Sequence, residues 1–315
     1  VFSGGRPETA VKFMFSGLTP ILAEGQMFTN YKKLIFILFF SSYISISHGH
    51  PASHQQDNWN AEQYIKNSQA DQNFAQSLLS DIDLKGNENI LDIGCGDGRI
   101  TLELAKKVPK GNVIGIDPSD SMINKARKLT QNTDLDNIHF IQGNAETFAI
   151  NEKFDIIVAI HVMHWIKNQK QAFHNIFDHL TSNGKVYLMM APAKEDLPFE
   201  RALKNAVALH KQDFTNFKNP MYFYDMETYR KLMVESGFHI DQICYTFHEE
   251  EFLNKQDFSN WLKQWLPHYK FLPLDKKEVF LKDLIDSYLS QSSTKHNGKI
   301  KWGEYILKVE ATKRF

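Results

Sequence analysis

The chain is predicted to fold as a doubly wound α/β protein with a mostly parallel sheet. Two observations carry that expectation. Short apolar strands and amphipathic helices alternate over residues 89–191, an order that a parallel sheet with helices on both faces satisfies. The stretch Ile90-Leu91-Asp92-Ile93-Gly94-Cys95-Gly96-Asp97-Gly98-Arg99-Ile100 also reads as a buried strand, a glycine turn and the start of a helix. Glycines there let the backbone turn sharply and approach a ligand closely, and the helix start offers free N–H groups.

Taken in order, residues 61–80 carry apolar side chains at helical spacing behind possible caps at Asp57, Asn58 and Asn60. Strand one is expected over Asn89–Ile93, followed by a helix over 100–107 with Lys106 and Lys107 in its last turn. Strand two is expected over Asn112–Asp117, with a helix starting behind Ser119; Met122 occupies the reciprocal position of a capping box without the chemistry for it. Strands three and four are expected over Ile138–Gln142 and Phe154–Ile160, then a helix over 168–180. Ser182-Asn183-Gly184 reads as a turn before strand five at 185–191. Past Pro192 the pattern loosens. It gives a helix over 199–211, an aromatic-rich loop over 213–224, a helix over 227–236 stopped by Gly237, and an alternating strand over Phe238–Phe252. Helices over 258–266 and 276–289 and a final strand over 304–311 complete the chain.

Bulk properties bound the function. The 315 residues suffice for one sizeable core with appendages or for two small domains. A net charge of -1 leaves no electrostatic footprint for a nucleic acid. Two cysteines, Cys95 and Cys244, make no disulfide framework. Lys32 and Lys33 precede the apolar run 34–40, which is too short to span a bilayer. With small residues at Ser47 and Gly49, the segment 27–49 fits a signal peptide, better still if translation starts at Met27. Export is therefore expected, with a cytoplasmic location as the alternative. Residues 1–54 are expected to be a leader and disordered, and 55–315 a single catalytic domain: a cofactor-binding core over 55–192, then an acceptor cap and the final strands over 193–315.

Three glycines at 94, 96 and 98, with Asp92 two positions ahead, decide between ligands. The dinucleotide fingerprint would need glycine at position 99, where Arg99 stands. A carboxylate at the strand end suits a cationic ligand better than a pyrophosphate. Asp92-x-Gly94-x-Gly96-x-Gly98 resembles the first motif of the class I S-adenosylmethionine (SAM) methyltransferases. The resemblance implies a Rossmann-like sheet of seven strands, two late strands closing its parallel half, with extra C-terminal helices. It also implies SAM as cofactor. Asp117, at the end of strand two, is then expected to take the ribose hydroxyls. Pro118 and Met122 are expected to flank the adenine. Asn144, followed by Ala145, stands where the family usually has Asp and would accept from the adenine amino group through its carbonyl; a simple turn role is the alternative. Cys95 is expected to fit the turn as a small residue, not as a nucleophile. Trp59 and Tyr64 fall where similar enzymes cover the methionine end of SAM, although packing alone also explains them.

His161 follows strand four, at the sheet edge where open α/β sheets bind ligands, and the resemblance puts it beside the sulfonium. The segment 160–173, with His161, His164 and Trp165, resembles juvenile hormone acid methyltransferases and, less closely, trans-aconitate methyltransferases. That implies a carboxylate acceptor on a small molecule, with His164 donating to an acceptor oxygen and Trp165 as an apolar wall. Packing of Trp165 at the sheet edge is the alternative. His161 and His164 lack a third ligand at a metal-binding spacing, so no metal is expected. His161-Val162-Met163-His164 also stands where enzymes acting on amino nitrogens of DNA or protein glutamine carry an Asn/Asp-Pro-Pro-aromatic motif, which argues against those substrates. The expected function is SAM-dependent methylation of a small organic acceptor at a carboxylate oxygen. The alternatives are another O- or N-nucleophile, and a SAM-binding module without catalysis.

Overall fold

The computed structural model describes residues 79, 81–193, 197–291, 295–296 and 298–314. The leader-like segment 27–49 and the stretch carrying Trp59 and Tyr64 lie outside the described residues. The parallel half of the sheet consists of β1 (Asn89–Ile93), β2 (Asn112–Asp117), β3 (Ile138–Gln142), β4 (Phe154–Ile160) and β5 (Leu180–Met190). Between them run α1 (Arg99–Lys107), α2 (Asp120–Thr130) and α3 (Gln169–His179). The remaining elements are α4 (Pro198–Leu209), α5 (Met226–Glu235), β6 (Phe238–Phe252), α6 (Lys255–Trp265), α7 (Pro267–Phe271), α8 (Leu274–Leu289), β7 (Lys295–His296) and β8 (Lys299–Lys313). The strand order is β3-β2-β1-β4-β5-β8-β6, with the two-residue β7 paired to β8 off that path. Pairings among β1 to β5 are parallel, and β8 runs antiparallel to both β5 and β6. This is the expected seven-strand order with its two late closing strands.

Each central strand is apolar on both faces because helices cover both. Leu91, Ile114, Ile157 and Val186 pack with Phe173 and Ile176 of α3 and Tyr229 of α5. Ile90, Val113, Ile156 and Tyr187 pack on the other side with Leu104 of α1 and Ile123 of α2. The period of two assigns β1's carboxylate: Asp92 shares a face with Ile90 and points to α1. The order reverses at β1, which pairs with β2 on one side and β4 on the other. Crevices at such reversals, beyond the strands' carboxyl ends, are where open sheets bind ligands.

Three differences from the expected elements have local causes. Strand five begins at Leu180, not 185, because 180–184 stay in the strand as a bulge. Phe154 pairs with Leu180, Ile156 already pairs with Lys185, and Asn183 absorbs the extra length at φ 63°. The last strand is longer than 304–311 because β6 and β8 pair from Phe238–Lys313 to Phe252–Ile300. Their far ends leave the helix-covered sheet and join a third apolar cluster, in which Phe252, Ile300 and Trp302 meet Phe199, Phe258, Trp261 and Phe280. The five-residue α7, with proline at its start, is too short to show a helical period.

Gly98 carries α1 onto this frame. It sits at φ 83° as the N-cap, and an added Cβ would lie 2.7 Å from both Ala126 Cβ of α2 and Phe140 Cζ of β3. Gly98→Ala is therefore expected to cost about 2–4 kcal/mol through overpacking and backbone strain. A shift of the urea unfolding midpoint at unchanged slope measures it.

Candidate functional site

The turn after β1 is fixed by β2. The carbonyl of Ile116 accepts from Gly94 N at 2.7 Å and from Cys95 N at 3.0 Å. The Asp117 carboxylate accepts from Gly96 N at 3.0 Å and from Ser119 N at 2.9 Å. Gly94, at φ 69°, passes so close to Val162 that a Cβ would lie 2.2 Å from its Cγ2. Gly96, at φ 53°, is different: a Cβ there would meet nothing within 4 Å. Its backbone therefore borders open space that a ligand can fill. Cys95 packs under the turn, where a Cβ at Gly115 would lie 3.0 Å from its Sγ. Burial, with Asp92 and Asp117 nearby, pushes its thiol well up, so it stays protonated and unreactive.

Above this turn lies a cavity of about 550 Å³, within the range of small-molecule sites. One side is Gly94, Cys95, Gly96, Asp117, Pro118 and Met122. The carboxyl end of β4 supplies His161, Val162, His164 and Trp165. The aromatic cluster closes the far end with Phe199, Trp261, Trp265 and Trp302, and the segment before α5 adds Met221 and Phe223. Expected site residues from the turn, from β2 and from β4 thus share one cavity.

His161 leaves β4 at φ 56°, with its N–H bonded to Met189 O at 2.8 Å. A non-glycine residue in this conformation is uncommon and turns the chain sharply at the sheet edge. Met163, fully buried, seats the following short turn, Met163–Trp165. His164 is only 5% exposed. Its ring stacks on Phe223 at 5.7 Å and 15°, its carbonyl accepts from Tyr222 N at 2.7 Å, and its Nδ1 has no hydrogen-bond partner. Gln169 Nε2 donates to Tyr222 O at 2.8 Å, so α3 grips the same segment. Burial pushes His161 down to about 4, with His248 adding to it, and His164 down to about 3, with His161 adding to it. Both rings are neutral at pH 7.

Other expected residues lie off the cavity wall. Asp92 sits under the turn, 2% exposed, and accepts from Thr101 Oγ1 of α1 at 2.7 Å. Burial pushes its carboxyl up to about 7; the Thr101 bond lowers it and Asp117 raises it further. The strand-end carboxylate read as suited to a cationic ligand is therefore turned toward α1. Asn144 Oδ1 already accepts from Glu146 N, Thr147 N and Thr147 Oγ1, each at 3.0 Å. That is the turn role, and it occupies the oxygen expected to meet an adenine amino group. Ala145 packs into the core, and Gly98 serves helix packing. The cavity in turn includes Asp97 and Arg99, unassigned in the sequence although they stand inside its most informative motif. The 219–223 segment gave no sequence signal beyond its aromatics. Among the described residues, no group of three metal-ligating side chains occurs, and no helix is long and apolar enough to cross a membrane.

Known proteins resemble this arrangement. A family model described as a methyltransferase domain matches residues 84–262. Malonyl-[acyl-carrier protein] O-methyltransferase of Bacillus anthracis is 26% identical over 223 residues, covering 65% of this chain and 76% of that one. Trans-aconitate 2-methyltransferase of Azoarcus sp. is 27% identical over 146 residues, covering 46% of this chain and 55% of that one. The O-methyltransferase of a Brevibacillus brevis multienzyme, solved with S-adenosyl-L-homocysteine, superposes with a TM-score of 0.51 at 17% identity. It covers 81% of this chain and 77% of its own, and shares the fold.

The buried titratable groups set the response to acid. His161, His164 and His268, the last pushed down by burial to about 4, take protons near pH 6.5 when unfolded but only near pH 3 to 4 when folded. The unfolded chain binds more protons in that window, so their contribution to stability is present above pH 6.5 and is lost as pH falls toward 4. Asp92 runs the other way: its contribution is full below pH 3.8 and fades as pH rises through about 7. The unfolding midpoint is expected to drop between pH 6.5 and 4.5. Asp92→Asn should steepen that drop and stabilise the chain by about 1–3 kcal/mol at pH 8. Urea titrations at three pH values measure both.

Proposed function

The chain belongs to the methyltransferase-domain family and is a SAM-dependent methyltransferase, and from that premise we propose that it methylates a carboxylate oxygen of a small organic acid. The open space at Gly96 fits a ligand laid close against the turn. Asp117, held at the end of β2 on the cavity wall, is the acceptor for the ribose hydroxyls. Pro118 and Met122 on the same wall are the apolar surface for the adenine. When bound, SAM supplies a methyl carbon on a positively charged sulfur, which keeps the bonding electron pair when the acceptor oxygen takes the methyl.

One observation carries the choice of acceptor: the two histidines at the end of β4 are buried and neutral. Imidazoles whose proton affinity is drawn down to about 3 and 4 are too weakly basic to deprotonate an alcohol or a phenol. A carboxylate, with a pKa of about 4, is already ionised at neutral pH and needs no base. A neutral imidazole N–H still orients a carboxylate oxygen. It also brings no second positive charge beside the sulfonium. Catalysis then consists of holding the oxygen about 3 Å from the methyl carbon and in line with the bond that breaks. Trp165 and Phe223 flank His164 and keep water from it. Support also comes from the likeness of residues 160–173 to carboxylate methyltransferases and from the malonyl and trans-aconitate enzymes among the relatives. In this reading 55–192 hold the cofactor and 193–315 close over the acceptor.

Incubation with methyl-labelled SAM and a panel of carboxylic acids should yield a base-labile labelled ester. A base-stable product would transfer the assignment to another oxygen or to nitrogen. His164→Ala is expected to lower kcat/KM about 10- to 100-fold, with affinity for S-adenosylhomocysteine changed less than about twofold. Asp117→Ala should do the reverse, weakening S-adenosylhomocysteine about tenfold or more in calorimetry.

A further inference from the structure

The aromatic end of the cavity carries polar atoms that its packing leaves without partners. Trp261, Trp265 and Trp302 line that end, with ring centroids between 4.9 and 6.1 Å apart. All three indole Nε1 atoms are buried with no hydrogen-bond partner, and so is Nδ1 of His268, which also lines the cavity. Glu200, in the first turn of α4 beside Phe199, is a further lining residue. Backbone N–H groups of Leu197 and Glu200 face its carboxylate, yet Oε2 is buried with no hydrogen-bond partner. The charge of Glu200 adds to the burial that pushes the Tyr288 phenol up, and the Tyr288 ring lies 6.1 Å from Trp302. The carboxylate therefore belongs to the same corner as the indoles. Buried polar groups in folded proteins are paired as a rule, and each exception calls for a cause. Here the exceptions gather at one end of one cavity, as three indole donors, an imidazole nitrogen and a carboxylate oxygen.

Four kinds of acceptor tail can be told apart by these groups. A plain hydrocarbon end would leave all of them unpaired. A second carboxylate would meet Glu200 without a cation to offset it, because among the described residues Arg99, at the start of α1, is the one lysine or arginine in the lining. An ammonium group would suit Glu200 but offers the indoles no acceptor. An uncharged hydroxyl or carboxamide both accepts and donates. Resting on the carboxylate reading above, we propose that the acceptor acid ends in such a group and that this corner receives it. The tail oxygen accepts from the indole N–H groups, and the tail O–H or N–H donates to Glu200. The carboxylate to be methylated lies at the other end, against His164. Apolar lining residues such as Leu203 and Met221 suit the hydrocarbon that joins the two.

Straight-chain acids of matched length, ending in methyl, hydroxyl, carboxamide, ammonium or carboxylate groups, test this with the full chain. They are compared as acceptors with methyl-labelled SAM, and by calorimetry as ligands of the S-adenosylhomocysteine complex. The hydroxyl- or carboxamide-ended acid is expected to exceed the methyl-ended one in kcat/KM by about tenfold or more, with the carboxylate-ended acid lowest. Glu200→Met and Trp265→Phe should each cut that advantage by about threefold or more while the methyl-ended acid stays within about twofold. A ratio between two substrates is not moved by a general loss of folded enzyme. A methyl-, ammonium- or carboxylate-ended acid as the best acceptor, or an advantage unchanged in both variants, overturns the assignment. If no acid gives a base-labile ester, the carboxylate reading fails and calorimetry alone decides the tail. Tighter binding of the hydroxyl- or carboxamide-ended compound then upholds it, and equal or absent binding overturns it.

Discussion

The last two residues of β2 hold the site together. Ile116 offers its carbonyl to Gly94 and Cys95, and Asp117 offers its carboxylate to Gly96 and Ser119. Three of these four hydrogen bonds fasten the loop leaving β1 to the end of β2, and the fourth closes the turn onto Ser119. Those from Asp117 are charge-assisted and therefore the stronger pair. Two of the four act on glycines, Gly94 and Gly96, whose backbone loses more freedom on ordering than any other residue's. That entropy is spent on folding and not on binding, so the turn meets its ligand already shaped. The same bonds hold Asp117 on the cavity wall.

The parallel half of the sheet is legible because each strand is a short apolar run closed by turn residues. β1 through β4 begin and end where that pattern says they should. The face on which Asp92 lies was also implied by alternation with Ile90. Its consequence, a buried bond to Thr101, needs the knowledge that α1 covers that face. Asn144 shows a different limit. A turn residue and a ligand residue look alike in sequence, and only the three hydrogen bonds already made by its oxygen separate them. The cap is least legible because its contacts are non-local. Phe199, Trp261 and Trp302 come from α4, α6 and β8, and nothing in the spacing of aromatics along a chain says that three elements will converge.

The histidines follow from where the chain leaves β4. His161 turns it at positive φ, and Met163 sinks into the core behind it. His164 is thereby drawn under Phe223 and the Tyr222 backbone. Burial favours the neutral imidazole, because a charged ring there would lose its hydration without an anion to replace it. The packing that shapes the wall thus also fixes its protonation state.

The two ends of the cavity are built by different forces. The end toward β1 and β2 is made of backbone hydrogen bonds and of glycines at positive φ, of which Gly94 also has no room for a Cβ, so substitution of these glycines disturbs the frame. The far end is side-chain packing among Phe199, Trp261, Trp265 and Trp302, on helices and strand tips that extend past the sheet. Apolar clusters accept volume-conserving exchange at low cost. Hydrogen-bonded turns at positive φ do not. A chain organised this way can repack the far end of the cavity while the end toward β1 and β2 stays as it is.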